Sequence, residues 1–285
     1  MAMLAEQALV KGDLEEALAA LQNQIRKEPA NSKLRIFLFQ LLSVLGQWER
    51  AATQLKVLGE MDDSALAMVQ TYREALFCEV LRAEVFAGKR SPMVFGKPEQ
   101  WIALLVEALR LTAEGQYIQS QEMRDQAFEL APVTAGTIGG PEGETFNWIA
   151  DADVRLGPVL EALINGHYYW IPFQRIRTIH IEEPVDLRDT VWMPAYFTWA
   201  NGGETVGLIP TRYPGSETNE DNAIRLAHKT VWQEYDGGVF LGQGQRVFTT
   251  DAGEYSLMDL RSITLNTQEE EPGSATDAES PSPNG

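Results

Sequence analysis

Gly12-Asp13-Leu14-Glu15-Glu16-Ala17 returns as Gly46-Gln47-Trp48-Glu49-Arg50-Ala51, an interval of 34 residues. The repeat places a glycine where one helix stops, because a left-handed residue there costs glycine little. A Leu or Trp two positions later packs into the turn, and the small alanine lets two helices approach. Pro29 lies twelve residues after Ala17, where the second helix must end, and Asn31 or Ser32 caps the next. A degenerate third copy, Gly115-Gln116-Tyr117-Ile118-Gln119-Ser120, is again followed twelve residues on by Pro132. Between the copies, residues 63–87 read as one long helix with Leu66, Val69, Ala75, Leu76, Val80 and Val85 as its apolar face. Residues 88–98 form a loop, and Pro98 opens the following helix. Seven helices are expected between residues 2 and 131.

An interval of 34 residues is the period of the tetratricopeptide repeat, a pair of antiparallel helices. One such pair cannot bury its own apolar face, so pairs stack, and the stack leaves a concave groove suited to a peptide or helix. Residues 1–132 are therefore assigned to a tetratricopeptide-like helical domain.

Residues 133–147 are rich in Gly and Thr, with Pro141 after Gly139-Gly140, and read as a flexible linker. Beyond it, Gly157-Pro158 opens a short helix over 159–165, with Gly166 as its stop. Strands are expected at 168–171, 178–182, 195–199, 206–209, 230–235, 239–241, 246–249 and 261–265. Asn201-Gly202-Gly203 and Asp236-Gly237-Gly238 supply hairpin turns. The fold class that follows is α+β, with helical repeats leading into a mostly antiparallel, partly barrel-like α/β domain over 148–265. Residues 266–285, with Glu, Ser, Pro and Thr and almost nothing apolar, read as a disordered acidic tail.

Composition narrows the partners. The formal net charge is −18, with 18 acids against 14 bases in residues 1–131 and 18 against 9 in 132–265. A surface of that sign argues against nucleic acid and anionic membranes, and steers a basic partner toward the second module. No apolar run reaches the roughly 20 residues of a membrane span. The start lacks a signal-peptide pattern, and Cys78 is the one cysteine, so a reducing, cytoplasmic setting is expected.

Catalytic motifs are scarce. Gly139-Gly140 is followed by Pro141 and Glu142 rather than by a phosphate-binding Gly-Lys-Ser/Thr. Gly242-Gln243-Gly244 falls between strands and reads as a turn, not a dinucleotide fingerprint. No Gly-x-Ser-x-Gly or His-Glu-x-x-His motif occurs. His167, His180 and His228 lack ligand spacing, and His180 beside Glu182 and Glu183 reads as a surface strand residue. No cofactor and no metal are expected. Asp151, Asp153 and Arg155 carry two readings. They are a general-acid pair with an anion clamp, or caps of a helix starting near Leu156 with Arg155 turned back on an aspartate. The structural reading is preferred because no third reactive group lies nearby in sequence. Arg188-Asp189 and Arg212-Tyr213 read as bracing between strands with a partner-facing option. Of seven tryptophans, Trp148, Trp170, Trp192, Trp199 and Trp232 fall in the second module, mostly as core, with one or two as anchors at the seam.

The combination of the helical start with Trp148-Ile149-Ala150-Asp151-Ala152-Asp153-Val154-Arg155-Leu156-Gly157-Pro158, Tyr169-Trp170-Ile171-Pro172-Phe173, Leu187-Arg188-Asp189-Thr190-Val191-Trp192 and Pro210-Thr211-Arg212-Tyr213 resembles the ImpE/TagJ family of type VI secretion accessory proteins. The resemblance covers about residues 1 to 265. It implies a cytoplasmic, non-enzymatic adaptor that binds the N-terminal helix of the small contractile-sheath subunit. It also implies a link to sheath disassembly by an AAA+ ATPase. It carries over no catalytic residues. Asp151, Asp153, Arg155, Trp170, Arg188, Trp192 and Arg212 form the candidate partner-binding or structural cluster. The alternatives are an enzyme built on Asp151, Asp153 and Arg155, and a general assembly scaffold.

Overall fold

The computed structural model describes residues 3–140 and 142–267. Seven α-helices precede residue 131: α1 (Met3–Val10), α2 (Leu14–Lys27), α3 (Ser32–Val44), α4 (Trp48–Met61), α5 (Leu66–Phe86), α6 (Gln100–Ala113) and α7 (Tyr117–Leu130). Their ends follow from local chemistry. The Asp13 carboxylate accepts the Glu16 amide at 2.9 Å to start α2, and Asn31 caps α3 through the Leu34 amide. Helix α2 buries Leu14, Ala17, Leu18 and Leu21, spacing that makes one stripe at 3.6 residues per turn. Gly46 ends the α3 turn at φ +65°. In the third copy, the buried Ser120 hydroxyl donates to the Ala108 carbonyl at 2.8 Å, locking α7 onto α6. Helix α5 buries Val69, Ala75, Leu76 and Val85 as expected, but Leu66 and Val80 are about half exposed, while Tyr72, Cys78, Glu79 and Arg82 are buried. The buried side is set by the sheet beneath it, and that sheet asks for polar as well as apolar groups.

Strands β1 (Met93–Val94), β2 (Gly136–Ile138), β3 (Glu144–Phe146), β4 (Ile149–Asp151), β5 (Val159–Ile164), β6 (His167–Pro172) and β7 (Ile176–Ile181) come first. β8 (Trp192–Trp199), β9 (Glu204–Pro210), β10 (Thr230–Tyr235), β11 (Val239–Gly244), β12 (Val247–Thr250), β13 (Glu254–Ser256) and β14 (Ser262–Leu265) complete the set. Nine strands form one sheet in the order β1-β6-β5-β9-β8-β7-β14-β2-β3, antiparallel except for the β1–β6 pair. The sheet keeps two edges, β1 and β3, so the barrel does not close. A three-stranded sheet β13-β12-β4 packs against it, and β10-β11 forms a separate ribbon.

Several local expectations change here. Residues 159–165 are strand β5 and a turn, not a helix. The run Val159–Ile164 is apolar on both faces because both are covered. Val159 and Leu163 face the helices, whereas Leu160, Ala162 and Ile164 join the second core with Ile179, Phe197 and Phe248. Asn165 (φ +49°) and Gly166 (φ +76°) make the two-residue turn into β6, so Gly166 reverses a hairpin rather than ending a helix. The flexible linker over 133–147 instead contributes β2 and β3, which the pairing of β2 with β14 draws into the main sheet. No helix starts near Leu156; the Leu156 and Gly157 amides donate to the Asp153 carbonyl in a tight turn. Gly242-Gln243-Gly244 is the end of β11, paired to β10, rather than a turn. The expected acidic tail lies, beyond Thr267, outside the described residues.

The sheet lies against the helices in one continuous core. Trp192 packs on Tyr72 and Trp48, with ring centroids 5.7 and 6.1 Å apart, and Val191, Leu208 and Leu226 join the same cluster. Helices α3 and α5 line the inner face of the stack. The cradle they form is thus filled by the chain's own Trp192 and by the 3₁₀ turn Leu187–Thr190.

Candidate functional site

The seam between helices and sheet is built from charges that neither half could bury alone. Glu79 and Arg82 project from α5, three residues apart and so on one face. Glu161 points from the middle of β5 into the same layer as Val159 and Leu163. The Arg82 guanidinium holds both Glu161 oxygens, at 2.7 Å from Nε and 3.0 Å from Nη2. It also reaches the Arg212 carbonyl at 2.8 Å and Glu79 at 3.4 Å. Arg246, fully buried just before β12, pairs with Glu161 and with Asp151 at the end of β4, and its Nε donates to the Pro210 carbonyl at 2.9 Å. Asp151 accepts the Tyr213 hydroxyl at 3.0 Å and the Asp153 amide at 2.9 Å. Tyr168 donates to Glu161 at 2.6 Å and takes the Trp170 indole N–H at 2.7 Å. Trp192 donates its indole N–H to Glu79 at 2.9 Å.

Asp153 is fully buried and receives Arg155 three times, through the backbone N and Nε at 2.9 Å and Nη2 at 2.5 Å. The Oδ2 that Arg155 Nη2 reaches also takes the Gly242 amide at 2.8 Å, which ties the ribbon down. Arg155 also lies over the Phe86 ring at 5.2 Å. Arg212 meets no carboxylate. Its guanidinium donates to the carbonyls of Ser43, Val44 and Arg225, at the C-terminal ends of α3 and of α8 (Asn222–Arg225), where the helix dipole favours a cation. Arg188 stands apart on the far side of Tyr72, 4.9 Å from that ring and 2.7 Å from Asp186.

Electrostatics follow burial. Desolvation works to raise Glu161, but Arg82 and Arg246 outweigh it and hold its carboxyl at about 2. Burial pushes Asp151 up to about 7 against the pull of Arg246, with Asp153 adding repulsion. Burial raises Glu79 as well, and lowers Arg212 to about 10. Glu79, Asp151, Asp153 and Glu161 are thus held by three guanidiniums, those of Arg82, Arg155 and Arg246, while that of Arg212 is held by backbone carbonyls.

Of the residues singled out from sequence, Asp151, Asp153, Arg155, Trp170, Trp192 and Arg212 therefore share one buried network or its hydrophobic border, and Arg188 lies outside it. Sequence reading passed over Glu79, Arg82, Glu161 and Arg246. The signal for Glu161 was a lone carboxylate inside an apolar run, which demands a buried cation.

Two hollows open beside this seam. One, of about 320 Å³, is lined by Trp48, Glu79, Arg82, Phe86, Pro214 and Glu217. The other, of about 230 Å³, lies between α5 and the β5–β6 turn and touches Cys78. That thiol is bonded to the Gly166 carbonyl at 3.4 Å and pushed by burial to about 12, which makes it a poor nucleophile. Asp151 and Asp153 line neither hollow. All three histidines are exposed. No helix among the described residues is long and apolar enough to cross a membrane.

Fold and seam together define a two-part repeat protein, a tetratricopeptide-type helical stack joined to a mostly antiparallel sheet through buried ion pairs. The tetratricopeptide repeat profile matches residues 8–72, and the ImpE protein profile matches residues 143–264. The type VI secretion system accessory component TagJ of Pseudomonas aeruginosa is 54% identical over 263 residues, covering 92% of this chain and 91% of that protein. The chain belongs to the ImpE/TagJ family of type VI secretion accessory proteins. A crystal structure of a Vibrio parahaemolyticus protein superposes with a TM-score of 0.83 at 26% identity, covering 93% of this chain and 98% of that one.

Proposed function

We propose that this chain is a non-enzymatic cytoplasmic adaptor of type VI secretion. It binds the N-terminal helix of the small contractile-sheath subunit and assists handling or disassembly of the sheath by the AAA+ ATPase. The observation that carries this reading is the 54% identity, across nearly the whole chain, to an accessory component of that system. Two features of the molecule support it. Glu79, Asp151, Asp153 and Glu161 each meet a guanidinium, and Asp151 and Asp153 line no hollow, which suits bracing rather than turnover. A helix laid on a protein surface is held by apolar anchors at i, i+3/i+4 and i+7, and an acidic surface speeds capture of a basic one. The second module carries the larger acidic excess. Isothermal titration of the full chain with a peptide of the sheath subunit's N-terminal helix tests the reading. Saturable binding that a scrambled peptide lacks is expected, and no heat at high micromolar peptide would sink it.

A further inference from the structure

We propose that the seam hollow lined by Trp48, Phe86, Pro214 and Glu217 receives one lysine or arginine side chain from a basic partner segment. The inference deepens the adaptor reading and rests on it for the source of that side chain.

Three ionisable groups line the hollow: Glu79, Arg82 and Glu217. Every nitrogen of Arg82 is engaged, by Glu161, Glu79 and the Arg212 carbonyl. Both Glu79 oxygens are engaged, one by Trp192 and one by Arg82. Glu217 makes no hydrogen bond and no ion pair among the described residues, although it stands in the field of Arg212 and Glu79. Arg212, whose field reaches it, has turned its guanidinium to three backbone carbonyls. One part-buried carboxylate is therefore left without a cation in hydrogen-bond contact, in a recess whose other charges are already paired.

The walls select the shape of what completes it. Trp48, Phe86 and Pro214 give apolar and aromatic surface, and the exposed Ala83 and Ala87 leave the mouth open. An aliphatic stem lies on such a surface while its cation reaches the carboxylate, with the indole face adding attraction. Gly46 fixes the geometry: a Cβ there would sit 2.5 Å from the Glu217 Cγ, so the glycine makes room for the carboxylate to stand where it does. A volume of about 320 Å³ is at the small end of ligand pockets and suits a side chain better than a cofactor. An anion would meet Glu217 and find no free donor on Arg82. The formal charge of −18 favours the same class of partner at long range.

The test uses the full chain and two arms. In the first, N-acetyl-lysine methylamide and N-acetyl-arginine methylamide are observed by saturation-transfer NMR at low salt, with the norleucine analogue as the uncharged control. Transfer to the cationic probes is expected from the wild type. It should weaken about fivefold with Glu217→Gln, as for a lost part-exposed ion pair, and vanish with Ala83→Trp, which plugs the mouth from an exposed position. Equal signals from wild type and Glu217→Gln, equal binding of norleucine, or no transfer at all would overturn the inference. In the second arm the sheath-subunit peptide is titrated against the same proteins. Binding unchanged by both substitutions refutes the hollow as its seat while the adaptor reading stands. Capture of the lysine probe without peptide binding supports the hollow and removes the adaptor reading. Thermal melts of both variants, expected to match the wild type, guard against misfolding.

Discussion

The inner and outer halves of the seam use the same helix, α5, in opposite ways. Inward, Arg82 meets Glu161 and Arg246 completes a closed lattice of paired charges. Outward, within one side chain's reach, Trp48, Phe86 and Glu217 stand around open space. The inner half holds the two modules in one register, because a buried charge tolerates no other arrangement of its partners. The outer half makes no such demand, and can change its contacts without disturbing the core.

The largest effect that would break this contrast is expected from Arg246→Met. It leaves Asp151 and Glu161 buried with one counter-ion fewer and should cost about 3–5 kcal/mol in urea unfolding. A loss below about 1 kcal/mol would mean that the inner lattice is not what fixes the modules. Acid unfolding sharpens the same point. Glu161 falls from its ordinary 4.5 to about 2 in the fold, so its contribution is complete above pH 4.5 and is lost as pH drops toward 2. Asp151 is raised from 3.8 to about 7, so its protonated form suits the fold and its contribution is lost as pH climbs between those values. Stability curves of Glu161→Gln should lack the acid limb, and those of Asp151→Asn should be flatter between pH 4 and 7.

Gly46→Ala sits where the halves meet. A left-handed alanine costs about 1–2 kcal/mol, and its methyl displaces Glu217. Calorimetry should show that modest loss together with weaker capture of the lysine probe. The smallest effect belongs to Glu217→Gln, expected within about 0.5 kcal/mol of wild type in thermal unfolding. A larger loss would move Glu217 into the structural half.

How far the sequence reached differs between the modules for a physical reason. Helix signals are local: Asp13 before Leu14, the stripe from Leu14 to Leu21 and the returning Gly46 lie within a few turns of what they specify. The α1–α7 layout was therefore legible, apart from the buried side of α5. The sheet depends on distant partners. β5 looked helical because cover on both faces erased its alternation, although Asn165-Gly166 beside it was a readable hairpin signal. β2 exists because β14 pairs with it, and no composition rule for Gly-rich segments contains that. In the site, Asp151, Asp153 and Arg155 were visible as a short pattern. Glu79, Arg82, Glu161 and Arg246 were not, since three segments remote in sequence, α5, β5 and the residue before β12, bring them together.

Arg212 grips Ser43 and Val44 by their peptide oxygens rather than by anything their side chains offer. An alanine scan along α3 would pass over this clasp in silence, because every replacement keeps the backbone oxygen it needs. The repeat stack can thus vary its residues at those positions and remain fastened, and the lock is exposed only by altering the key at position 212.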